Sequence, residues 1–145
     1  STQSRSSAAS DVYKRQKQFS GSRININFSS SANMAFITSF APIDISIIVD
    51  NMVSNAKKAQ ANLLEIIIEV SKGILQMHFI SNQPFNKDIG NINDIFERGF
   101  STTKSTGMGL YHIKNIVDEN KWKIIANRKE KEAEFIIIIE NENRL

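Results

Sequence analysis

The sequence predicts an α+β sandwich in which helices cover one face of a mixed β-sheet. Two observations lead to this fold class: strand-like runs occur in pairs, and single amphipathic helical segments separate the pairs. A doubly wound parallel sheet would need more crossover helices than the sequence offers. The 145 residues are enough for one domain with a full hydrophobic core of its own.

Composition excludes several classes of protein. Cysteine is absent, so the sequence offers no disulfide framework, thiolate zinc site or cysteine nucleophile. The net charge is only +3 and the charges are scattered, which argues against a nucleic-acid partner. No apolar run approaches the roughly 20 residues that span a bilayer, so we expect a soluble domain without direct membrane contact.

The chain divides into a short tail and one domain. Residues 1–22 are polar and rich in Ser and Ala at their start, which is typical of a flexible linker or a cloning-derived tail. The domain is expected to span residues 23–145. It opens with strict polar and apolar alternation over residues 23–28, which predicts a half-buried strand, and residues 34–40 are predicted to pair with it.

The first long helix is predicted to begin near Pro42 and to run to about Asn62. It carries Asn51 and Asn55 one helical turn apart, beside its apolar face. A carboxamide oxygen can bind a hard cation without adding charge, and Lys58 lies one turn beyond Asn55, so the group suits a metal-bound polyphosphate. Taken alone, the segment is still better explained as an amphipathic helix with ordinary polar edges.

Residues 64–70 and 74–81 are β-rich runs joined by a short turn containing Gly73, and they predict a central, covered hairpin. His78 lies inside its second strand. We interpret it as a hydrogen-bonded sheet residue, because no second His, Cys or acidic cluster stands near it in the sequence. Residues 82–106 then show loop composition, with one helical turn at 92–96, and a loop of this length is typical of a lid.

The end of this loop has the composition of a phosphate cradle. Residues 101–109 supply hydroxyls, one ammonium group and glycine backbone N–H groups just before a helix predicted over about Met108 to Asn120. His112 is expected to lie off the apolar stripe of that helix. Residues 122–126 and 134–139 are predicted to be the two closing strands.

Three of these segments together resemble a known family. Residues 51–56 with Lys58 resemble the N box of the histidine-kinase ATPase domain, residues 95–100 its F box and residues 106–110 its second glycine box. They occur in the order and spacing of the family, and the resemblance covers residues 23–140. The superfamily also contains gyrase, mismatch-repair ATPases and a heat-shock chaperone. The resemblance implies a Bergerat-type fold, a mixed sheet with helices on one face and a long ATP lid.

The resemblance also implies a function and a site. ATP would lie between the N-box helix and the lid, with Mg²⁺ bridging the phosphates and Asn55; Asn51 would support the metal ligand and Lys58 would contact phosphate. The implied nucleotide contacts beyond these three residues are Ser81, Asn82, Thr103, Lys104, Thr106, Gly107, Met108, Gly109 and Leu110. The γ-phosphoryl group would pass to a histidine on a helical-hairpin partner domain, and then to a response regulator in two-component signalling. The expected location is cytoplasmic, with a parent protein that can be membrane-tethered.

One position distinguishes the kinase branch from the hydrolytic branch of this superfamily. Hydrolytic members carry a glutamate one helical turn before the metal-binding asparagine, where its carboxylate can polarise water. Asn51 occupies that place here and has no basic oxygen at neutral pH. The residue therefore resembles the kinase branch, and a hydrolytic ATPase is the least favoured of three hypotheses. No segment resembles the phospho-acceptor hairpin, so the chain alone is not expected to phosphorylate itself.

The sequence departs from the family at the first glycine box, where Asp-x-Gly-x-Gly is replaced at Ser81, Gln83 and Phe85. The missing aspartate accepts the adenine amino group in the family. Ser81 offers only a neutral hydrogen bond, and Asn82 could serve only with a register change. Losing a charge-assisted bond costs about 1.5–3 kcal/mol, roughly ten- to a hundredfold in affinity. A second hypothesis is therefore a degenerate domain that acts as a regulatory or protein-interaction module.

Overall fold

A computed structural model describes residues 24–30, 41–97 and 109–140 of the chain. The predictions for residues 1–22, for a strand at 34–40 and for most of the lid lie outside these ranges. The elements in chain order are β1 (Asn25–Ser30), α1 (Pro42–Lys58), β2 (Leu63–Ser71), β3 (Ile74–Ser81), a 3₁₀ helix (Ile92–Phe96), α2 (Gly109–Glu119), β4 (Lys123–Arg128) and β5 (Ala133–Glu140).

The five strands form one mixed sheet in the order β1-β2-β3-β5-β4. Only β1 and β2 are parallel, and the other neighbours are antiparallel. The predicted hairpin of β2 and β3 is central in this sheet, and its turn uses positive φ angles of 52° at Lys72 and 76° at Gly73. The α+β prediction with a mixed sheet is therefore confirmed.

The first strand forms as the alternating pattern predicts, but its described partner is β2. Ile26 lies beside Leu64 in a parallel register, and Ile24 at its start is buried in the core. A parallel pair requires a crossover connection, and α1 lies in that connection. Among the described strands, β1 is the outermost one on its side of the sheet.

Helix α1 begins at Pro42 as predicted but ends at Lys58, four residues before the predicted end near Asn62. The cause is a Schellman motif. Gln60 has a φ of 64°, its N–H donates to Lys57 O, and the N–H of Ala61 donates to Ala56 O. These bonds satisfy the last carbonyls of the helix and turn the chain into β2.

The core lies between α1, α2 and one face of the sheet. The fully buried side chains of the helices are Ile48, Met52, Val53, Ile113 and Val117, and those of the sheet are Ile66, Phe79 and Ile137. Helix α2 covers Gly109–Glu119, close to its predicted span. Strand β4 begins at Lys123, because Trp122 still belongs to the turn that ends α2: Lys121 has a φ of 60°, and the Trp122 N–H donates to Val117 O. None of the described helices is long and apolar enough to cross a membrane.

The opposite face of the sheet, which we call the outer face, has no described element packed over it. The prediction that β2 and β3 are covered is therefore correct for one face only among the described residues. Strand alternation places Ile67, His78, Ile136 and Ile125 side by side on the outer face, one residue from each of four neighbouring strands. Ile125 remains 45% exposed there.

Candidate functional site

The start of α2 lies directly against Asn51 of α1. The Asn51 Nδ2 group donates a hydrogen bond of 2.9 Å to Ile47 O, one turn earlier in the same helix. A Cβ atom built on Gly109 would stand 3.0 Å from Asn51 Oδ1. The amide nitrogen of Asn51 is therefore held by its own helix while its oxygen faces the first residue of α2. The folding of the chain thus brings together the N-box segment and the last glycine of the second glycine-box segment.

The other two α1 residues of the predicted site follow along the helix. Asn55 is half-buried one turn after Asn51, at the edge of the apolar face, and Lys58 is exposed at the last helical position. Carboxamide oxygens and a nearby ammonium group have the chemistry that a metal-bound phosphate requires. From the lid, Gly109 and the half-buried Leu110 are described. The predicted contacts Thr103, Lys104, Thr106, Gly107 and Met108 lie outside the described residues.

Ser81 ends β3 on the core side of the sheet. It is 8% exposed and lies beside Leu64 of β2 and Ala133 of β5 in the strand register. Its Oγ donates a long hydrogen bond of 3.5 Å to Gln83 O. A hydroxyl held this weakly remains able to accept a hydrogen bond, but it carries no charge.

Asn82 is used to fasten the end of β3 to the start of β2. Its Oδ1 accepts hydrogen bonds from the backbone N–H groups of Asn62 at 3.1 Å and Leu63 at 3.3 Å. Its Nδ2 donates to Asn62 Oδ1 at 2.6 Å. The register change that would carry Asn82 to the expected base position would break these three bonds, and the structure keeps the register in which Ser81 ends β3.

Phe85, at a glycine position of the family pattern, packs on the hydrophobic core. Its ring meets Phe135 edge to face at a centroid distance of 5.3 Å, and Phe96 approaches Phe135 at 6.1 Å. Each aromatic pair of this kind adds about 0.5–1.5 kcal/mol beyond the burial of its area. The three rings tie the loop after β3 to the 3₁₀ helix, where Ile95 is also buried.

Solved structures, but no sequence families, resemble this chain. No family model matches the sequence, and no curated protein matches it. Among solved structures, the catalytic domain of the histidine kinase ThkA in a nucleotide-free form has a TM-score of 0.73 at 19% identity, over 92% of this chain and 91% of that one. The chain has the histidine-kinase catalytic fold.

Two further structures support the same conclusion. The Acinetobacter baumannii histidine kinase AdeS matches with a TM-score of 0.73 at 19% identity, over 93% of this chain and 65% of that one. The mycobacterial sensor histidine kinase MprB matches with a TM-score of 0.71 at 13% identity, over 92% and 94%. At these identities the likeness concerns the fold, and the histidine-kinase catalytic fold is the one that the three sequence motifs predict.

Sequence reasoning missed a polar cluster on the outer face of this fold. His78 Nδ1 donates to Glu134 Oε2 at 2.9 Å, while His78 Nε2 lies 3.1 Å from Gln76 Oε1 and 3.5 Å from Glu69 Oε2. His78 is indeed a hydrogen-bonded sheet residue. The acidic neighbours were hidden because Glu134 lies 56 residues away in sequence, and only strand register brings it close.

Glu134 is buried yet stays in its charged form more readily than an ordinary glutamate. Burial raises the pKa of its carboxyl, but hydrogen bonds from Asn127 and His78 and the positive charge of Lys129 outweigh that effect and lower the pKa overall. Asn127 Nδ2 donates to Glu134 Oε1 at 3.0 Å, and Lys129 Nζ lies 3.4 Å from the same oxygen.

His112, the other histidine of the chain, is exposed on α2, off the apolar stripe of that helix as expected.

Proposed function

We propose that the chain is the ATP-binding catalytic domain of a histidine kinase, which transfers the γ-phosphoryl group of ATP to a histidine on a partner domain. The observation that carries this proposal is the approach of Gly109 to Asn51 Oδ1. The first described turn of α2 meets the Asn51 carboxamide with no Cβ between them, and Asn55 lies one turn further along α1, so N–H donors and neutral oxygens lie close together. That combination suits a polyphosphate with its bound cation.

The donor atoms on α1 fit Mg²⁺, which prefers oxygen ligands. Asn55 would hold the ion, and Asn51, whose amide nitrogen is fixed on Ile47 O, would keep its oxygen turned towards the same region. When bound, Mg²⁺ neutralises phosphate charge. Lys58, at the end of α1, adds a positive charge for the phosphates. The work of these residues is to position the nucleotide and to balance its charge.

Asn51 also bears on the choice between transfer and hydrolysis. A carboxamide cannot take a proton from water at neutral pH, so this position supplies no general base. We therefore expect no steady release of phosphate from ATP by the chain alone. Sustained hydrolysis, absent in an Asn55→Ala variant, would instead support the hydrolytic hypothesis.

The phosphoryl acceptor is expected on another domain, with a response regulator acting after it. His78 is engaged with Glu134 in the sheet, and His112 lies on the surface of α2. Neither stands on a helical hairpin. After incubation with γ-labelled ATP, we expect no label on the chain, and label on His78 or His112 would contradict the proposal.

A second function, a degenerate regulatory or protein-interaction domain, is favoured by the region after β3. Ser81 offers no charge to the base, Asn82 is committed to Asn62 and Leu63, and Phe85 is packed on Phe135. These contacts weaken base recognition without touching Asn51, Asn55 or Gly109. The kinase function therefore requires that the phosphate contacts hold the nucleotide without strong recognition of the base, whereas the degenerate domain does not require nucleotide binding.

Calorimetric titration of the intact chain with Mg-ATP separates these functions. The kinase proposal predicts saturable binding with a Kd no weaker than about millimolar, and at least tenfold weaker binding by Asn55→Ala, because a charge-assisted contact is worth about 1.5–3 kcal/mol. Asn25→Ala is the matched control, since Asn25 is exposed on the edge strand β1. No saturation at several millimolar nucleotide would refute the kinase proposal and leave the degenerate domain.

A further inference from the structure

The outer face of the sheet carries a patch of isoleucines and polar side chains that the proposed nucleotide site does not use. Strand register arranges it in three rows that cross β2, β3, β5 and β4 in that order. The rows are Glu69-Gln76-Ile138-Lys123, Ile67-His78-Ile136-Ile125 and Glu65-Ile80-Glu134-Asn127. Five isoleucines thus lie together, none of them fully buried, and no described element of the chain covers them.

The charges of the first row lie at its two ends. Glu69 on β2, with a side chain 52% exposed, carries the negative charge, and the exposed Lys123 on β4 carries the positive charge. A uniformly basic or uniformly acidic partner would match one end of the row and be repelled by the other. A partner with the opposite order of charges matches both ends.

A second copy of this chain has that order when it is turned by a two-fold axis. With the axis parallel to the strands and between β3 and β5, β2 of one copy faces β4 of the other. Glu69 then faces Lys123 of the second copy, and the same contact recurs on the other side of the axis. Ile67 likewise faces Ile125 of the second copy. Two sheets packed in this way lie about 10 Å apart, and their mean strand directions differ by no more than about 30°.

We propose that two copies of the chain associate through their outer faces. Four strands at about 4.8 Å spacing and three rows at about 6.8 Å give a patch of roughly 400 Å² per copy. A standard interface buries about 800 Å² per partner, so the association is weak, with a dissociation constant of about 10 μM to 1 mM.

The two charged residues of the third row do not oppose this contact. Glu65, at the β2 end of that row, would face the neutral Asn127 of the second copy. Glu134 would be covered by Ile80 of the second copy, but its carboxylate already has three partners on its own chain. Asn127 and His78 donate hydrogen bonds to it, and Lys129 balances its charge. Because a paired carboxylate has already lost most of its contact with water, covering it adds little further cost.

Sedimentation equilibrium of the intact chain from about 10 μM to 1 mM tests the proposal. Glu69→Lys and Lys123→Glu each turn two attractions into two repulsions, so each should weaken self-association by about tenfold. An equimolar mixture of the two variants should recover the association of the unchanged chain, because both contacts are attractive in the mixed dimer. Lys87→Glu, on an exposed loop outside the sheet, is the charge-matched control for Lys123→Glu and should leave self-association unchanged.

Three outcomes would overturn the proposal. A chain that stays monomeric at 1 mM would leave the patch to a different partner. Association that both charge variants retain would place the interface elsewhere, and failure of the mixture to associate would exclude the two-fold arrangement. Fluorescence of the buried Trp122 verifies that each variant is folded. The patch lies on the face of the sheet opposite to α1 and α2, so both charge variants should bind Mg-ATP with unchanged affinity. Loss of self-association can therefore be distinguished from loss of nucleotide binding.

Discussion

Replacing Gly109 with alanine tests the contact on which the candidate site is built. Gly109 begins α2 and has no left-handed φ angle, so its backbone accepts an alanine without strain. Outside its own helix, the three nearest atoms that a new Cβ would meet all belong to Asn51, with Oδ1 at 3.0 Å. The substitution therefore pushes the Asn51 carboxamide away from its present position.

The size of the effect follows from two opposing contributions. Alanine in place of glycine stabilises a compatible site by about 0.4–1 kcal/mol, mainly by restricting the unfolded chain. Displacing the Asn51 carboxamide costs its hydrogen bond to Ile47 O, about 1 kcal/mol. Gly109→Ala should therefore leave the free energy of unfolding nearly unchanged in the natural chain. In an Asn51→Ala background the clash is absent, and the same change should stabilise the fold by about 0.4–1 kcal/mol.

Urea unfolding of the four chains of this double-mutant cycle measures the coupling. Trp122, the single tryptophan, is buried and reports unfolding by fluorescence. We expect a coupling free energy of about 1 kcal/mol between the two positions. A value below about 0.3 kcal/mol would show that Gly109 does not press on Asn51, and the geometric argument for the site would fail.

Three further changes test other parts of the structure. Ser81→Asp should strengthen Mg-ATP binding about ten- to a hundredfold in calorimetry, whereas the neutral Ser81→Asn should not; equal affinities would show that the base does not reach this position. Asn82→Ala should lower the free energy of unfolding by about 1–2 kcal/mol through its three lost hydrogen bonds, and an unchanged urea midpoint would exclude this role. Because the pKa of Glu134 is lowered in the fold, its contribution to stability is present above the ordinary glutamate pKa of about 4.3 and is lost as pH falls through the lowered value. In Glu134→Gln, the free energy of unfolding measured in urea should therefore fall less between about pH 6 and 2 than it does in the unchanged chain. An equal fall in both chains would show that Glu134 does not contribute in this way.

The sequence predicted those parts of the fold that local pattern determines. Apolar periodicity and Pro42 placed the start of α1, and two β-rich runs around Gly73 placed the central hairpin. The end of α1 could not be predicted, because the left-handed turn at Gln60 depends on backbone bonds that no residue type in that segment announces. The parallel pairing of β1 with β2 could not be predicted either, because the two strands are separated by α1 and no turn between them specifies which strand pairs with which.

The candidate site was predictable to a similar extent. The carboxamides of Asn51 and Asn55 are visible in the sequence as a helical pair, and the family resemblance predicts a nucleotide site between their helix and the lid. The approach of Gly109 to Asn51 depends on how the two helices pack. The packing of Phe85 on Phe135 and the bond from His78 to Glu134 were likewise invisible, because each joins strands or loops that are about 50 residues apart.

The most direct test of the proposed function is a nuclear magnetic resonance titration of the ¹⁵N-labelled chain with Mg-ATP. If the chain binds Mg-ATP as proposed, the side-chain amides of Asn51 and Asn55 and the backbone N–H of Gly109 should show saturable shifts. The side-chain amide of Asn82, held by Asn62 and Leu63, should stay in place. The absence of saturable shifts at Asn55 and Gly109 at several millimolar Mg-ATP would contradict the account.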